Sequence, residues 1–280
     1  TNASVNKMKT PPVTAPGSVV AIDQMISALP GFIAQMRGFI TGKRYKVITV
    51  FVDQYSDLSF VYTQKSTTAE ETVQAKEAFE RYAKTHGVTV RHYHADNGIF
   101  AEAGFLRAVE KNGQSISFCG VNAHHMNGHA EKRIRDLQEN ARAMLLHAKR
   151  RWPTAVSSHL WPYAVRMANE VHNFSPSIKE AISPIEKFSQ VQVSPRVKHC
   201  HTFGCPVYVL DGKLQVGKGV PKWDDRARIG LFLGFSPRHG RKVALVLNLT
   251  TGHVSPQFHV VFDDLFDTLR PSAGNAFPKS

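Results

Sequence analysis

The segment Lys46 to Val52 (KVITVFV) is a nearly unbroken β-branched run, a pattern that suits a strand buried on both faces. Such a strand needs a sheet around it and helices packed on that sheet. The flanking sequence supplies both. DQYSD (Asp53 to Asp57) makes a turn, and LSFVYT (Leu58 to Thr63) returns as a hairpin partner. Ahead of the run, SVVAID reads as a strand that ends at Asp23. After it, Thr68 with Glu71 three residues on is a capping box. The helix it opens has Ala75, Phe79 and Tyr82 on its buried side, and Gly87 as a left-handed terminator.

Val88 to His94 (VTVRHYH) is the next predicted strand, running into Ala95-Asp96-Asn97-Gly98. A short helix around Phe105 to Val109 and a strand at Ser115 to Cys119 follow. The longest helical pattern starts near Gly128 and stops before Pro153. Its apolar positions Ala130, Ile134, Leu137, Ala141, Leu145 and Ala148 are spaced by threes and fours. Another helix is predicted over Leu160 to Val171, with Pro162 in its first turn. After Pro184 the texture becomes short β-rich pieces between turns: Val207 to Leu210, Ile229 to Gly234, Val243 to Asn248 and Val254 to Phe262. That pattern predicts a small β-barrel or sandwich. The expected organisation is a linker over 1–17, a core over 18–190, a basic β-barrel over 191–270 and a tail over 271–280.

The 280 residues carry a formal net charge of +13, which favours polyanionic partners because each neutralised phosphate releases counterions. Cys119, Cys200 and Cys205 form no CxxC pair and are too few for a disulfide framework, pointing to a reducing compartment. No apolar run approaches the roughly 20 residues that span a bilayer, so no membrane association is expected. The chain opens on Thr1 rather than Met, as a piece of a longer polypeptide would.

Three acids stand where structure alone does not ask for them. Asp23 ends one predicted strand, Asp96 ends another, and Glu131 lies in the first turn of the long helix. In a mixed sheet whose first strand lies beside the Asp96 strand, these carboxylates converge into an oxygen cage. Hard oxygens suit Mg²⁺, and two such ions roughly 4 Å apart can serve in-line phosphoryl transfer. Asp53 also ends a strand and competes with Asp23 for the first position. The second strand should not adjoin the Asp96 strand, which favours Asp23.

VVAIDQM, YHADNGIF and AHHMNGHAEKRIRDL resemble the three catalytic blocks of integrases from Ty/copia-type retrotransposons. The 34 residues between Asp96 and Glu131 are close to the spacing of that superfamily. FGCPVYVLD, RARIGLFLGFS and TTGHVSPQFHVVFDD resemble the blocks that follow the core in copia polyproteins, so the resemblance runs from Ser18 to Leu269. It implies a ribonuclease-H-like α/β core, a mixed five-stranded sheet with flanking helices, followed by a small Src-homology-3-like barrel. It further implies two Mg²⁺ or Mn²⁺ ions held by Asp23, Asp96 and Glu131. The implied activity is 3′-end processing and strand transfer of element cDNA into target DNA. Its expected partners are DNA and further copies of the chain, with a zinc domain and a reverse transcriptase in the same polyprotein. The expected location is the nucleus, after a cytoplasmic particle stage. A nuclease or transposase of the same superfold, or a domesticated DNA-binding protein, are the rival readings.

Arg135, Gln138 and Arg142 share a helical stripe with Glu131 and are the expected DNA contacts, together with Asn127 in the loop before the helix. Lys132 and Arg133 read as surface charge. His92, His94, His124, His125 and His129 crowd the acidic blocks without a zinc spacing. His199-Cys200-His201 with Cys205 is the nearest approach to a metal cluster, but packed thiols are the expected outcome. Lys213, Lys218, Lys222, Arg226, Arg228, Arg238, Arg241 and Lys242 suit duplex phosphates. Trp223, Phe232 and Phe235 are expected inside the barrel.

Overall fold

A computed structural model of the chain describes residues 10–33, 42–119, 127–178, 180–193, 200–237, 239 and 243–269. The first nine residues, the 271–280 tail, His124, His125, His199, Arg238, Arg241 and Lys242 lie outside the described residues. The chain divides into two compact units. One comprises the described residues of 10–33, 42–141 and 165–193, the other those of 142–164 and 200–269.

The first unit opens with β1 (Val20–Gly31), β2 (Tyr45–Asp53) and β3 (Ser59–Gln64), followed by α1 (Ala69–Thr85) and β4 (His92–Ala95). Then come α2 (Ala103–Lys111), β5 (Ser115–Phe118) and the long α3 (Gly128–Arg151). The sheet order is β3-β2-β1-β4-β5. β2 is antiparallel to β1 and β3, while β1, β4 and β5 run parallel. This mixed five-stranded sheet with flanking helices fits a ribonuclease-H-like core.

β2 behaves as its composition demands: Val47 through Asp53 are all buried. On one face its Phe51 stacks on Phe79 of α1 at 4.8 Å between ring centroids. Tyr93 and Phe105 extend the same core edge-on. The chain enters β1 through Gly17, at φ +79, where an added Cβ would lie 2.4 Å from the Thr89 carbonyl oxygen. Only glycine allows that approach.

Three expectations need correction. β1 does not stop at Asp23; it runs on to Gly31, because after Ile22 its other edge still pairs with β2 as far as Gly31. The strand expected from Val88 is only His92–Ala95. The capping box is half formed: Thr68 accepts from the Glu71 amide, but the Glu71 carboxylate turns to the amides of Lys65 and Ser66.

α4 (Trp161–Phe174) follows a 3-10 turn at Ser158–Leu160, and α5 (Pro184–Ser189) was not expected. The signal for α5 is present in the sequence: Ser183 and Glu186 form a reciprocal capping box with Pro184 at the first helical position. Asn169 and Asn173, one turn apart on α4, grip Ser59 at the start of edge strand β3. Asn173 accepts from the Ser59 amide, both asparagines donate to its carbonyl, and its hydroxyl donates to Asn169.

The second unit contains β6 (Pro206–Leu210), the short α6 (Gly212–Gln215), β7 (Ala227–Phe235), β8 (Ala244–Leu247), β9 (Val254–Gln257) and β10 (Val260–Phe262). Every pairing is antiparallel, in the order β10-β6-β7-β8-β9. Among the described residues β9 and β10 are the two ends of this hydrogen-bonded order. Phe232, Phe235, Phe262 and His201 form its aromatic cluster, with the His201 ring stacked on Phe262 at 3.5 Å. Phe232 is fully buried, as expected. Trp223 is not: it is 89% exposed. No helix among the described residues is long and apolar enough to cross a membrane.

Candidate active site

The parallel ladder between β1 and β4 has three rungs, Val20–Tyr93, Ala21–His94 and Ile22–Ala95. The next rung would join Asp23 to Asp96. It is there that β4 ends while β1 continues. In-register residues of parallel strands project to the same face, so the two carboxylates leave neighbouring strands at the same level. Each also folds back on its own chain. Asp23 Oδ1 accepts from the Gln24 amide at 2.7 Å, and Asp96 Oδ1 from the Asn97 amide at 2.8 Å.

Glu131 arrives from α3. The residue just before that helix, Asn127, is 1% exposed and donates its Nδ2 to the Ile22 carbonyl at 3.1 Å. The start of α3 is thereby pinned to the residue preceding Asp23, with Glu131 one turn further on. Burial pushes the Asp23 carboxyl up to about 6; the Gln24 amide opposes the rise, and the charges of Glu131 and Asp96 add to it. Burial also raises the Cys119 thiol, and Asp96, Glu131 and Asp23 raise it further. The three acids therefore act on common neighbours.

Asp53 occupies a different place. It pairs with Val20, three rungs from Asp23, at the opposite end of the β1–β4 ladder. Its carboxylate is fully buried and accepts from the Gly17 amide (2.7 Å), the Ser56 amide (2.9 Å) and the Ser56 hydroxyl (2.6 Å). Those bonds close the β2–β3 turn and leave the group structurally occupied.

Among the described residues no three His, Cys, Asp or Glu side chains lie close enough together to hold a metal ion. The donor set nevertheless suits a hard divalent cation. The Asp23 carboxyl is raised first by burial, with Glu131 and Asp96 adding to the rise and the Gln24 amide opposing it. A cation held there would offset both the burial of the charge and the smaller carboxylate repulsion.

Of the expected DNA contacts, Arg135 and Gln138 are exposed on α3, and Arg142 is exposed but falls in the second unit. Asn127 is turned inward. Lys132 is exposed, as expected, but Arg133 is not surface charge: it is 7% exposed and bonded to Asp57 and His172. The spacing offered a signal, since Arg133 lies three residues after Ala130 and four before Leu137, on the buried stripe.

His92 and His94 are buried as well. His92 bonds Ser115 through Nδ1 (2.7 Å) and Ser117 through Nε2 (2.8 Å), and His94 Nδ1 also reaches Ser117 (2.8 Å). They tie β4 to β5 beneath Asp96. In the second unit Cys205 is buried, Cys200 is exposed, and His201 Nδ1 lies 2.9 Å from Asp264.

The strand order thus defines an α/β core in which Asp23 and Asp96 each follow the last β1–β4 rung, Ile22–Ala95. No family model matches the sequence. The chain is similar to the HTLV-2 integrase catalytic core domain, solved in complex with magnesium. The identity is 17% and the TM-score 0.44, over 62% of this chain and 97% of that one. It is similar to a chain of a simian T-cell lymphotropic virus intasome, solved in complex with PP2A regulatory subunit B56 gamma. There the identity is 15% and the TM-score 0.47, over 89% of this chain and 79% of that one. It is also similar to the catalytic core domain of BIV integrase, at 16% identity and a TM-score of 0.43, over 61% of this chain and 93% of that one.

Proposed function

We propose that the chain is a polynucleotidyl transferase of the integrase kind, from a copia-type retrotransposon, which joins the 3′ ends of element cDNA to target DNA. The observation that carries this reading is the parallel β1–β4 ladder, whose last rung, Ile22–Ala95, is followed directly by Asp23 on one strand and Asp96 on the other. Two carboxylates from neighbouring strands and one from a helix start make an acidic cluster with no evident structural purpose.

On this reading Asp23, Asp96 and Glu131 would hold two Mg²⁺ or Mn²⁺ ions. Such ions would supply charge neutralisation at the reacting phosphate and activation of the attacking oxygen. The protein's own part is placement. Gln24 and Asn97 amides fix one oxygen of each aspartate, and Asn127 fixes the helix that carries Glu131. In the first step water attacks a phosphodiester near the cDNA 3′ end and releases a 3′-hydroxyl. In the second, that hydroxyl attacks a target phosphodiester, forming one P–O bond as another breaks and a target 3′-hydroxyl leaves. No protein atom bonds to DNA. Arg135, Gln138 and Arg142 are the proposed phosphate or base contacts. The active form is a multimer that works on chromosomal DNA in the nucleus.

The test is strand transfer with a 3′-hydroxyl oligonucleotide, Mn²⁺ and a plasmid target. Asp23→Asn, Asp96→Asn and Glu131→Gln should each abolish joined product, and wild-type rates in all three would sink the assignment. Hydrolysis without joining would identify a nuclease. Metal-independent DNA binding without turnover would identify a binding protein.

A further inference from the structure

Between β6 and β7 the chain leaves the second unit's sheet as a closed loop. Its neck is the Leu210–Ala227 pair and the hydrogen bond from the Asp211 amide to the Arg226 carbonyl at 2.8 Å. Asp211 caps the turn of α6 through the Lys213 amide, and the Lys218 amide returns to the Lys213 carbonyl at 2.8 Å. A second turn, closed from the Asp224 amide to the Pro221 carbonyl at 3.1 Å, presents Trp223. Compact surface loops of this kind, with their ends held together, often carry function.

Trp223 is 89% exposed, whereas the other two tryptophans, Trp152 and Trp161, are 9% and 7% exposed. Leaving an indole in water forgoes about 2–3 kcal/mol of burial, so its position at a loop tip calls for something to cover it. The neighbours indicate what. The Lys222 ammonium lies 5.2 Å from the Trp223 ring centroid. Lys213, Lys218, Lys222 and Arg226 are all exposed on this loop, against the carboxylates of Asp224 and Asp225. An exposed aromatic face among cations, on a chain of net charge +13, has the chemistry of a stacking platform with phosphate contacts beside it.

We propose that Trp223 stacks on an unpaired base of single-stranded DNA, with Lys222, Lys218, Lys213 and Arg226 meeting the flanking phosphates. Every base has a π-face, so this contact reads strandedness and not sequence. A fully paired duplex hides its base faces and engages the cations alone. The choice of DNA over RNA rests on the polynucleotidyl transferase reading; the stacking itself does not.

The experiment uses the intrinsic fluorescence of the full chain without divalent ions. Because Trp152 and Trp161 are buried, the solvent-exposed, iodide-quenchable emission belongs to Trp223. Oligothymidylate should quench that component and shield it from iodide, and duplex of the same length should not. Trp223→Ala should weaken single-strand binding about tenfold with an unchanged melting temperature, and Trp223→Phe should recover part of the loss. Lys222→Ala should reduce the salt slope by about one.

Wild-type single-strand affinity in Trp223→Ala overturns the proposal. So does burial of Trp223 on raising protein concentration without DNA, which would make a second copy its partner. Preference for oligouridylate overturns the assignment to DNA. Stacking without strand transfer in any metal would fail the enzyme reading alone. Strand transfer without stacking would fail this proposal alone.

Discussion

The Arg133 guanidinium donates to the Asp57 carboxylate across 2.7 Å, from a side chain 9% exposed to one 58% exposed. It also donates to His172 Nδ1 at 2.9 Å, and His172 Nε2 lies 3.0 Å from the Asp57 carbonyl oxygen. That arrangement suits a neutral imidazole protonated at Nε2, and burial together with the Arg133 charge lowers its pKa. Two residues after Glu131, the start of α3 is thus lashed to the β2–β3 turn and to α4.

The two ends of this ion pair differ in what their loss leaves behind. Asp57→Ala takes the nearer carboxylate from a buried guanidinium, leaving it Asp136 at 3.9 Å, and puts alanine at φ +61, at a cost of roughly 2–4 kcal/mol. Arg133→Met removes the buried charge and leaves Asp57 to water, at about 1 kcal/mol. Urea denaturation of both variants decides it. A larger loss in Arg133→Met would refute the buried-charge argument.

Asp23 sets a pH dependence near the site. Its folded pKa of about 6 lies above the ordinary 3.8. Between those values the folded chain holds the proton more tightly, so stability declines as pH rises from about 4 to 6. Asp23→Asn should therefore melt higher than wild type at pH 7 without divalent ions. Mn²⁺ should raise the melting temperature of wild type more than that of the variant. Equal metal responses would count against Asp23 as a ligand.

His92 acts in the opposite sense. Burial, with His94 beside it, lowers its pKa from 6.5 to about 4. Here the unfolded chain binds the proton first, so stability is lost as pH falls from about 6.5 through 4. His92→Gln should flatten that acid limb in melting curves taken across the window. An unchanged limb would show that the imidazole is not its source.

Asn127 offers a test of how α3 is seated. Its Nδ2 reaches the Ile22 carbonyl, while its buried Oδ1 has no partner among the described residues. Asn127→Ala removes a bond and an unsatisfied acceptor together and should cost only about 1 kcal/mol. Asn127→Asp aims a carboxylate at a carbonyl and should cost more. Both should slow strand transfer, and hydrogen exchange at the first turn of α3 should quicken. If Asn127→Asp proves the more stable of the two, the donor assignment is wrong.

What the sequence could disclose depended on whether neighbours or distant partners decide a residue's place. KVITVFV was readable because burial on both faces leaves only Thr49 polar between Val47 and Val52. Asp96 just past β4 and Glu131 in the first turn of its helix stand where local sequence placed them. The far half of β1 was not readable, since its pairing partners lie 14 to 25 residues away and its own residues alternate without strong apolarity. Arg133 was misread because charge outweighed its position on the buried stripe. Trp223 failed for the reverse reason: its hydrophobicity argued for the interior, while the turn made by Pro221 and Asp224 holds it outside. The β10-β6-β7-β8-β9 order depends on pairings between distant strands that composition does not encode.

The three-rung ladder makes the acidic site intolerant of miscounting. Deleting one residue from His92–Ala95 would turn Asp96 to the other side of the sheet, while Asp23 stayed where β2 holds it. The same deletion in the exposed part of the Trp223 loop would leave both carboxylates untouched. Natural length variation among descendants of this sequence should therefore collect in surface loops such as 212–226 and be purged from four residues of β4.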